Sequence, residues 1–184
     1  MRLSERTVSM SDLVLSPEQN AVRSSGIHVS AVIRHMSKAI GRAKENDFTE
    51  DDLNMFATVG RLFEAQLAAA TFQPPRYERI GEIECDGIIG SPDAIDTVDW
   101  SVQEYKANFG SAIKPIESKL EYFWQIKAYC QMLGMCRASL FVFYVGGNWR
   151  PPVPIIKAWD ILFTPAELAD NWQMILENAK ALRV

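Results

Sequence analysis

Little in this chain's composition offers an easy functional reading, and each scarcity removes a class of protein. There are 3 cysteines in 184 residues, and Cys85, Cys130 and Cys136 lack the paired spacing of a disulfide framework or a zinc site. The 2 histidines, His28 and His35, stand seven apart with no cysteine or carboxylate at ligand spacing. No apolar run reaches the ~18 residues that span a bilayer. Arg2, Glu5, Arg6, Asp12 and Glu18 interrupt the first residues, which therefore lack the compact apolar stretch of a secretory signal. These features point to a reduced, cytoplasmic protein with no membrane partner. Basic excess is missing too: 19 Lys and Arg face 23 Asp and Glu, a formal net charge of -4. A surface coated in positive charge is excluded, but a groove lined by a few cations is not.

What is present is apolar and well patterned. Hydrophobic residues make up 48% of the chain, enough for one core at this length. Residues 1 to 26 are polar and weakly patterned and read as a loose arm that either docks on the domain or stays flexible. The spacing Ile27, Ala31, Val32, Met36, Ala39, Ile40 predicts a helix with one apolar face. A second helix is expected to start near Thr49 and Asp52 and to stop before Pro74-Pro75.

From Arg76 to Ala107 the texture is β, punctuated by Gly, Pro and Asp. Asp86-Gly87 carries the chemistry of a tight turn. A helix is expected from Ile116 to Leu133, ended by Gly134. Strands follow at 138–145 and 154–163, with Gly146-Gly147-Asn148 as the turn between them. Thr164-Pro165-x-Glu167 predicts a capping box and a final helix to about Leu182. The expected order is α-α-β-β-β-α-β-β-α over residues 27–184. The fold class is therefore α/β, one central mixed sheet flanked by helices.

Three clusters carry the chemistry: Asp93 in GSPDAID, Glu104 and Lys106 in QEYK, and Gln125 with Tyr129 in FWQIKAY. Strand residues two apart share a face, so Glu104 and Lys106 point the same way. A two-residue turn at 99–100 would set Asp93 opposite Lys106 and Ile95 opposite Glu104, with Asp96 on the other face. A slip of one residue would exchange the faces and bring Asp96 forward. Two adjacent carboxylates repel unless a cation lies between them. Mg²⁺ suits such a pair, with Mn²⁺ as a substitute, because it takes oxygen ligands and keeps waters, one of which can attack a phosphodiester. Gln125 and Tyr129, four apart, share one helix face.

In this order and spacing the motifs resemble the PD-(D/E)XK nuclease superfamily, in the branch that contains phage lambda exonuclease and RecB-type nuclease domains. The resemblance spans about Ile27 to Leu182 and implies a restriction-endonuclease-like fold. It implies that Asp93 and Glu104 bind metal and that Lys106 assists the attacking water. Gln125 and Tyr129 would then organise the phosphate or the lysine. The segment Gly60-Arg61-Leu62-Phe63-Glu64 looks like the family's Gly-x-x-x-Glu helix, which would make Glu64 a further metal ligand. Members of this branch with an iron–sulfur cluster use four cysteines, so no such cluster is expected here.

The activity implied is a Mg²⁺-dependent exonuclease processing DNA ends in phage-type recombination or repair. A catalytically silent DNA-binding protein on the same fold, or a structure- or site-specific endonuclease, is the alternative. A short groove with few cations needs several protomers to collect phosphate contacts. A homo-oligomer is therefore expected, with Arg61, Lys114, Lys119 and Lys127 as groove candidates, and with a single-strand annealing or recombination protein as a possible partner.

Overall fold

A computed structural model describes residues 1–7, 24–42, 59–60, 62–63, 76–109, 114–145 and 155–183. Its framework is a mixed α/β architecture whose strands are, in chain order, β1 (Arg2–Thr7), β2 (Ile27–His28), β3 (Tyr77–Glu78), β4 (Ile83–Cys85), β5 (Ile88–Gly90), β6 (Ala94–Asp96), β7 (Ser101–Asn108), β8 (Arg137–Tyr144) and β9 (Ile155–Leu162). The helices used below are α1 (Val29–Ala39), α2 (Leu120–Leu133) and α3 (Pro165–Lys180). Six strands form the main sheet in the order β1-β9-β8-β7-β6-β3. Only β7 and β8 run parallel within it. A small sheet, β2-β5-β4, lies apart.

The parallel pair dictates much of this arrangement. Parallel neighbours need a crossover, and here α2 supplies it between β7 and β8. One face of the main sheet buries Val102, Leu140, Val142 and Trp159 in a common core with Val32 of α1, Ile126 of α2 and Ile175 of α3. The opposite face carries a smaller cluster, in which Phe63 covers Ala94, Tyr105, Phe141 and Ala158. Phe63 also packs on Phe143, with ring centroids 5.2 Å apart.

Local chemistry explains the boundaries. Asp86 and Gly87 both adopt positive φ, 52° and 73°, and close the β4–β5 hairpin as a two-residue turn that joins Cys85 to Ile88. Gly134 ends α2 in the left-handed conformation at φ 65°. At the start of α3 the Thr164 side chain accepts from the Glu167 backbone N–H, and the Glu167 carboxylate accepts from the Thr164 backbone N–H at 2.9 Å.

Three expectations are refined by the structure. The first helix starts at Val29, because Ile27 and His28 pair in parallel with Ile88 and Ile89 instead of joining it. The beginning of the arm takes the docked alternative: Arg2–Thr7 pairs antiparallel with β9, so backbone hydrogen bonds anchor it without an apolar pattern. The β6–β7 turn spans residues 97–100, twice the expected length, with Trp100 at φ 52°. Asp96 organises that turn by accepting from the backbone N–H groups of Val98 and Asp99. Of the helix expected from Thr49, residues 59–60 and 62–63 are described and are helical; its remainder, the turn at 146–148, and both Arg61 and Glu64 lie outside the described residues.

The capping box yields a test with a worked sign. The N-terminal ammonium and the Thr164 backbone N–H hold the Glu167 carboxyl down at about 2. A depressed carboxyl contributes stability that is present above its ordinary value near 4.5 and fades as pH falls toward 2. Thr164→Ala should lower stability by about 1 kcal/mol at neutral pH. Glu167→Gln should also be less stable than the parent at neutral pH. In urea melts the gap between Glu167→Gln and the parent should close between pH 4.5 and 2.

Candidate active site

Strand β7 sends alternate side chains to opposite faces. Val102, Glu104 and Lys106 face the helices, while Ser101, Gln103 and Tyr105 face away. The observed register pairs Ala94 with Gln103 and Ile95 with Val102. Continued by one residue, it sets Asp93 opposite Glu104, two positions from the expected pairing with Lys106. A shift of two preserves the face. Asp93, Glu104 and Lys106 therefore still converge, and Asp96 lies on the other side, buried against Arg76 at 2.6 Å.

Asp93 follows Pro92 and immediately precedes Ala94, the first residue of β6. The Tyr105 backbone N–H loses its strand partner there and donates instead to the Asp93 carboxylate at 2.6 Å. That bond fixes the carboxylate beside β7. Glu104 is 1% exposed, and Lys106 donates a short hydrogen bond to its Oε1. Burial alone would push the lysine's pKa down. The carboxylates of Glu104 and then Asp93 outweigh it and hold the pKa above its usual value, so Lys106 is an ammonium at neutral pH.

Helix α2 closes the site because it is the crossover between β7 and β8 and must pack over them. Gln125 Nε2 donates to the Tyr129 hydroxyl at 2.9 Å. Tyr129 is buried, and its pKa is raised first by burial and then by the Glu104 carboxylate, with Lys106 opposing. It is a neutral phenol within electrostatic reach of all three β residues. The structure thus brings together Asp93, Glu104, Lys106, Gln125 and Tyr129.

Sequence reading missed two residues at this site. The Tyr122 ring has two cations near it, Lys106 Nζ and Lys119 Nζ, each 6.0 Å from its centroid. The spacing Tyr122, Gln125, Tyr129 on one helix face was the available signal. Gly90 of β5 is the second: a Cβ there would lie 2.7 Å from Met132 Sδ and 3.1 Å from Tyr129 Cε1. No pattern in the sequence announces that contact.

The cationic candidates divide. Lys119 sits at the site mouth through Tyr122, and Lys114 is exposed just before the 3₁₀ turn Ile116–Ser118 that leads into α2. Lys127 is not brought to the site. It is out of helical phase with Gln125, and its ammonium lies 5.6 Å from the Phe163 ring.

Among the described residues no group of three His, Cys, Asp or Glu side chains is placed to hold a metal ion. The pair Asp93 and Glu104 nevertheless fits a hard divalent cation. Both donate oxygen, and two carboxylates against one ammonium leave the cluster with an excess negative charge. Glu64 would be the third oxygen donor of that set.

No family model matches the chain, and no curated protein matches it in sequence. Solved structures similar to it include LHK-Exo, an alkaline exonuclease from Laribacter hongkongensis crystallised with dAMP. It is 14% identical over 86% of this chain and 88% of that one, with a TM-score of 0.55. A phage-related exonuclease from Haemophilus somnus 129PT is 14% identical over 82% and 78%, with a TM-score of 0.53. The protein SSO0001 is 16% identical over 85% and 78%, also with a TM-score of 0.53.

Gly90 offers a direct check on the packing of this site. Gly90→Ala should lower stability by about 1–3 kcal/mol through overpacking. Most of that loss should return in Gly90→Ala/Met132→Ala, since the nearest clash is with the methionine sulfur. A double-mutant cycle in urea reads the coupling. The chain's central sheet and flanking helices are those of an exonuclease-like fold.

Proposed function

We propose that this protein is a Mg²⁺-dependent deoxyribonuclease, an exonuclease that processes DNA ends in phage-type recombination or repair. The observation that carries the proposal is the convergence of two carboxylates, a lysine held as an ammonium, and a Gln–Tyr pair on one side of β7. The fold similarity to exonucleases supports it.

Asp93 and Glu104, with Glu64 as the third candidate, would hold the metal, which when bound supplies an activated water and charge neutralisation at the phosphate. The chain's own groups do the rest. Lys106, a fixed positive charge, cannot accept a proton at neutral pH and instead stabilises the negative charge that builds on the phosphoryl oxygens. The neutral Tyr129 hydroxyl, accepting from Gln125, has its own proton to donate toward a phosphate oxygen or the carboxylate cluster. Lys119, near the Tyr122 ring, and the exposed Lys114 are the candidates to meet a DNA backbone, with Arg61 a further candidate for that role. With so few cations per chain, a homo-oligomer gathers the phosphate contacts that one protomer cannot. A single-strand annealing or recombination protein is the fitting partner for such an enzyme.

The purified protein should degrade linear DNA with Mg²⁺ or Mn²⁺ and spare closed circles, and EDTA should stop it. Asp93→Asn, Glu104→Gln and Lys106→Gln should each lose about 10²–10³-fold in rate. Lys106→Gln should also destabilise the fold by about 3–5 kcal/mol, because it leaves a buried carboxylate without its cation. Its rate is therefore measured below its own melting temperature. Wild-type rates in both Glu104→Gln and Lys106→Gln would remove the mechanism, and cleavage of closed circles would replace exonuclease with endonuclease action. Light scattering at micromolar protein should show more than one protomer.

A further inference from the structure

The sheet face turned away from the catalytic cluster is half apolar and half polar, and the register shows where it changes. Tyr105 and Phe141 belong to the patch under Phe63, which Ala158 of β9 completes. Two residues back along β7 and β8, the next row across the sheet is Ser4, Asp160, Ser139 and Gln103. The row after that runs Arg2, Leu162, Arg137, then Ser101, Asp96 and Tyr77. Apart from Gln103, the residues of these two rows line a cavity of about 650 Å³, a size typical of small-molecule sites.

The cavity is chemically graded from one side to the other. At the β1–β8 side stand Arg2 and Arg137, two exposed guanidinium groups with no ion-pair partner among the described residues. In the middle, Ser139 donates to Asp160 at 2.7 Å, and Gln103 donates through Nε2 to Ser101 at 2.9 Å. At the far side lie the Tyr77 ring and the Arg76 guanidinium, 5.9 Å from the ring centroid.

Gln103 is the informative residue. It is 2% exposed, and its Oε1 has no hydrogen-bond partner. A buried amide that leaves one end unmade costs about 1–3 kcal/mol, and turning the amide over only exchanges which end is unpaired. Its neighbours Ser101 and Ser139 both line the cavity, and Gln103 is buried beside them, donating to Ser101.

We infer that this polar half-sheet is a second binding site, for a nucleoside 5′-monophosphate. The phosphate meets Arg137 and Arg2, the sugar hydroxyls meet Ser101 and Ser139, with Ser101 held by the buried Gln103 amide, and the base lies toward Tyr77 and Arg76. Three strand spacings of ~4.8 Å separate β8 from β3, a span that an arginine side chain and a mononucleotide bridge together. Arg76 does not compete for the phosphate because Asp96 and Asp99 already hold it. The choice of a nucleotide over other anionic, hydroxyl-bearing molecules rests on the nuclease reading, whose products are of this class.

Calorimetric titration of the full chain with dGMP in EDTA tests the site without metal or hydrolysis. Binding should occur, should be unchanged in Glu104→Gln, and should weaken at least tenfold in Arg137→Ala, whose exposed side chain leaves folding intact. Deoxyguanosine should bind at least tenfold more weakly than dGMP, and Gln103→Leu should weaken dGMP at an unchanged far-ultraviolet spectrum. Absence of binding overturns the inference, as does binding that needs Glu104 or metal, or that ignores Arg137. Displacement by equal concentrations of inorganic phosphate, or by a tripeptide with a free carboxylate, also overturns it. Because no step requires cleavage, failure here leaves DNA hydrolysis standing, and failure of DNA hydrolysis leaves the binding result standing.

Discussion

A carboxylate taken almost wholly out of water in the middle of a sheet must be answered by positive charge, and Glu104 sets that demand for the whole helix-covered side of the sheet. Lys106 answers first, two residues along the same strand and on the same face. With Asp93 held alongside through the Tyr105 N–H, one ammonium still leaves the cluster short of positive charge. Polar helix residues on the face of α2 follow from the same constraint, since an all-apolar α2 would close over charges that need partners. Gln125 and Tyr129 give that helix a polar seam within an otherwise buried surface, which includes Phe123, Ile126 and Cys130. The burial that makes the cluster expensive also makes its charges effective, because water is not there to screen them.

Strand β7 does two jobs by alternation. Its even-numbered residues 102, 104 and 106 build the helix-covered side, and its odd-numbered residues 101, 103 and 105 build the opposite face. Along one edge β7 pairs with β8 from Val102 to Asn108, while along the other it pairs with β6 only over Ser101–Gln103. Beyond that short pairing the Asp93 side chain takes over by accepting from the Tyr105 N–H. A side-chain carboxylate in place of a backbone carbonyl satisfies the N–H and, at the same stroke, places an anion against Glu104.

What the sequence discloses follows the range of the interaction. The Asp86-Gly87 turn, the Gly134 cap and the Thr164–Glu167 box are settled within four residues, and each is legible from those residues alone. The faces of Asp93, Glu104 and Lys106 are legible for a subtler reason. The assumed β6–β7 turn was two residues too short, and a two-residue slip leaves period-2 alternation intact. An error of one would have put Asp96 in place of Asp93. The strand at Arg2–Thr7 was not legible, because its partner lies some 150 residues later and its own residues carry no apolar alternation.

The same reasoning explains why a polar half-sheet stays hidden in a linear reading. Ser101, Gln103 and Ser139 look, one strand at a time, like the solvent-facing positions of ordinary half-exposed strands. Only when the β1-β9-β8-β7-β6-β3 register aligns them do they become two continuous rows, and only burial turns them from wetted residues into constrained ones. A strand that faced water would gain nothing from packing Gln103 to 2% exposure with one end of its amide unmade. Selection for stability alone favours an apolar residue of that volume, which would extend the neighbouring Tyr105–Phe141 patch without a desolvation cost. The Nε2 bond to Ser101 ties Gln103 to the polar rows instead of the neighbouring apolar patch, on the face of β7 that Glu104 and Lys106 do not share.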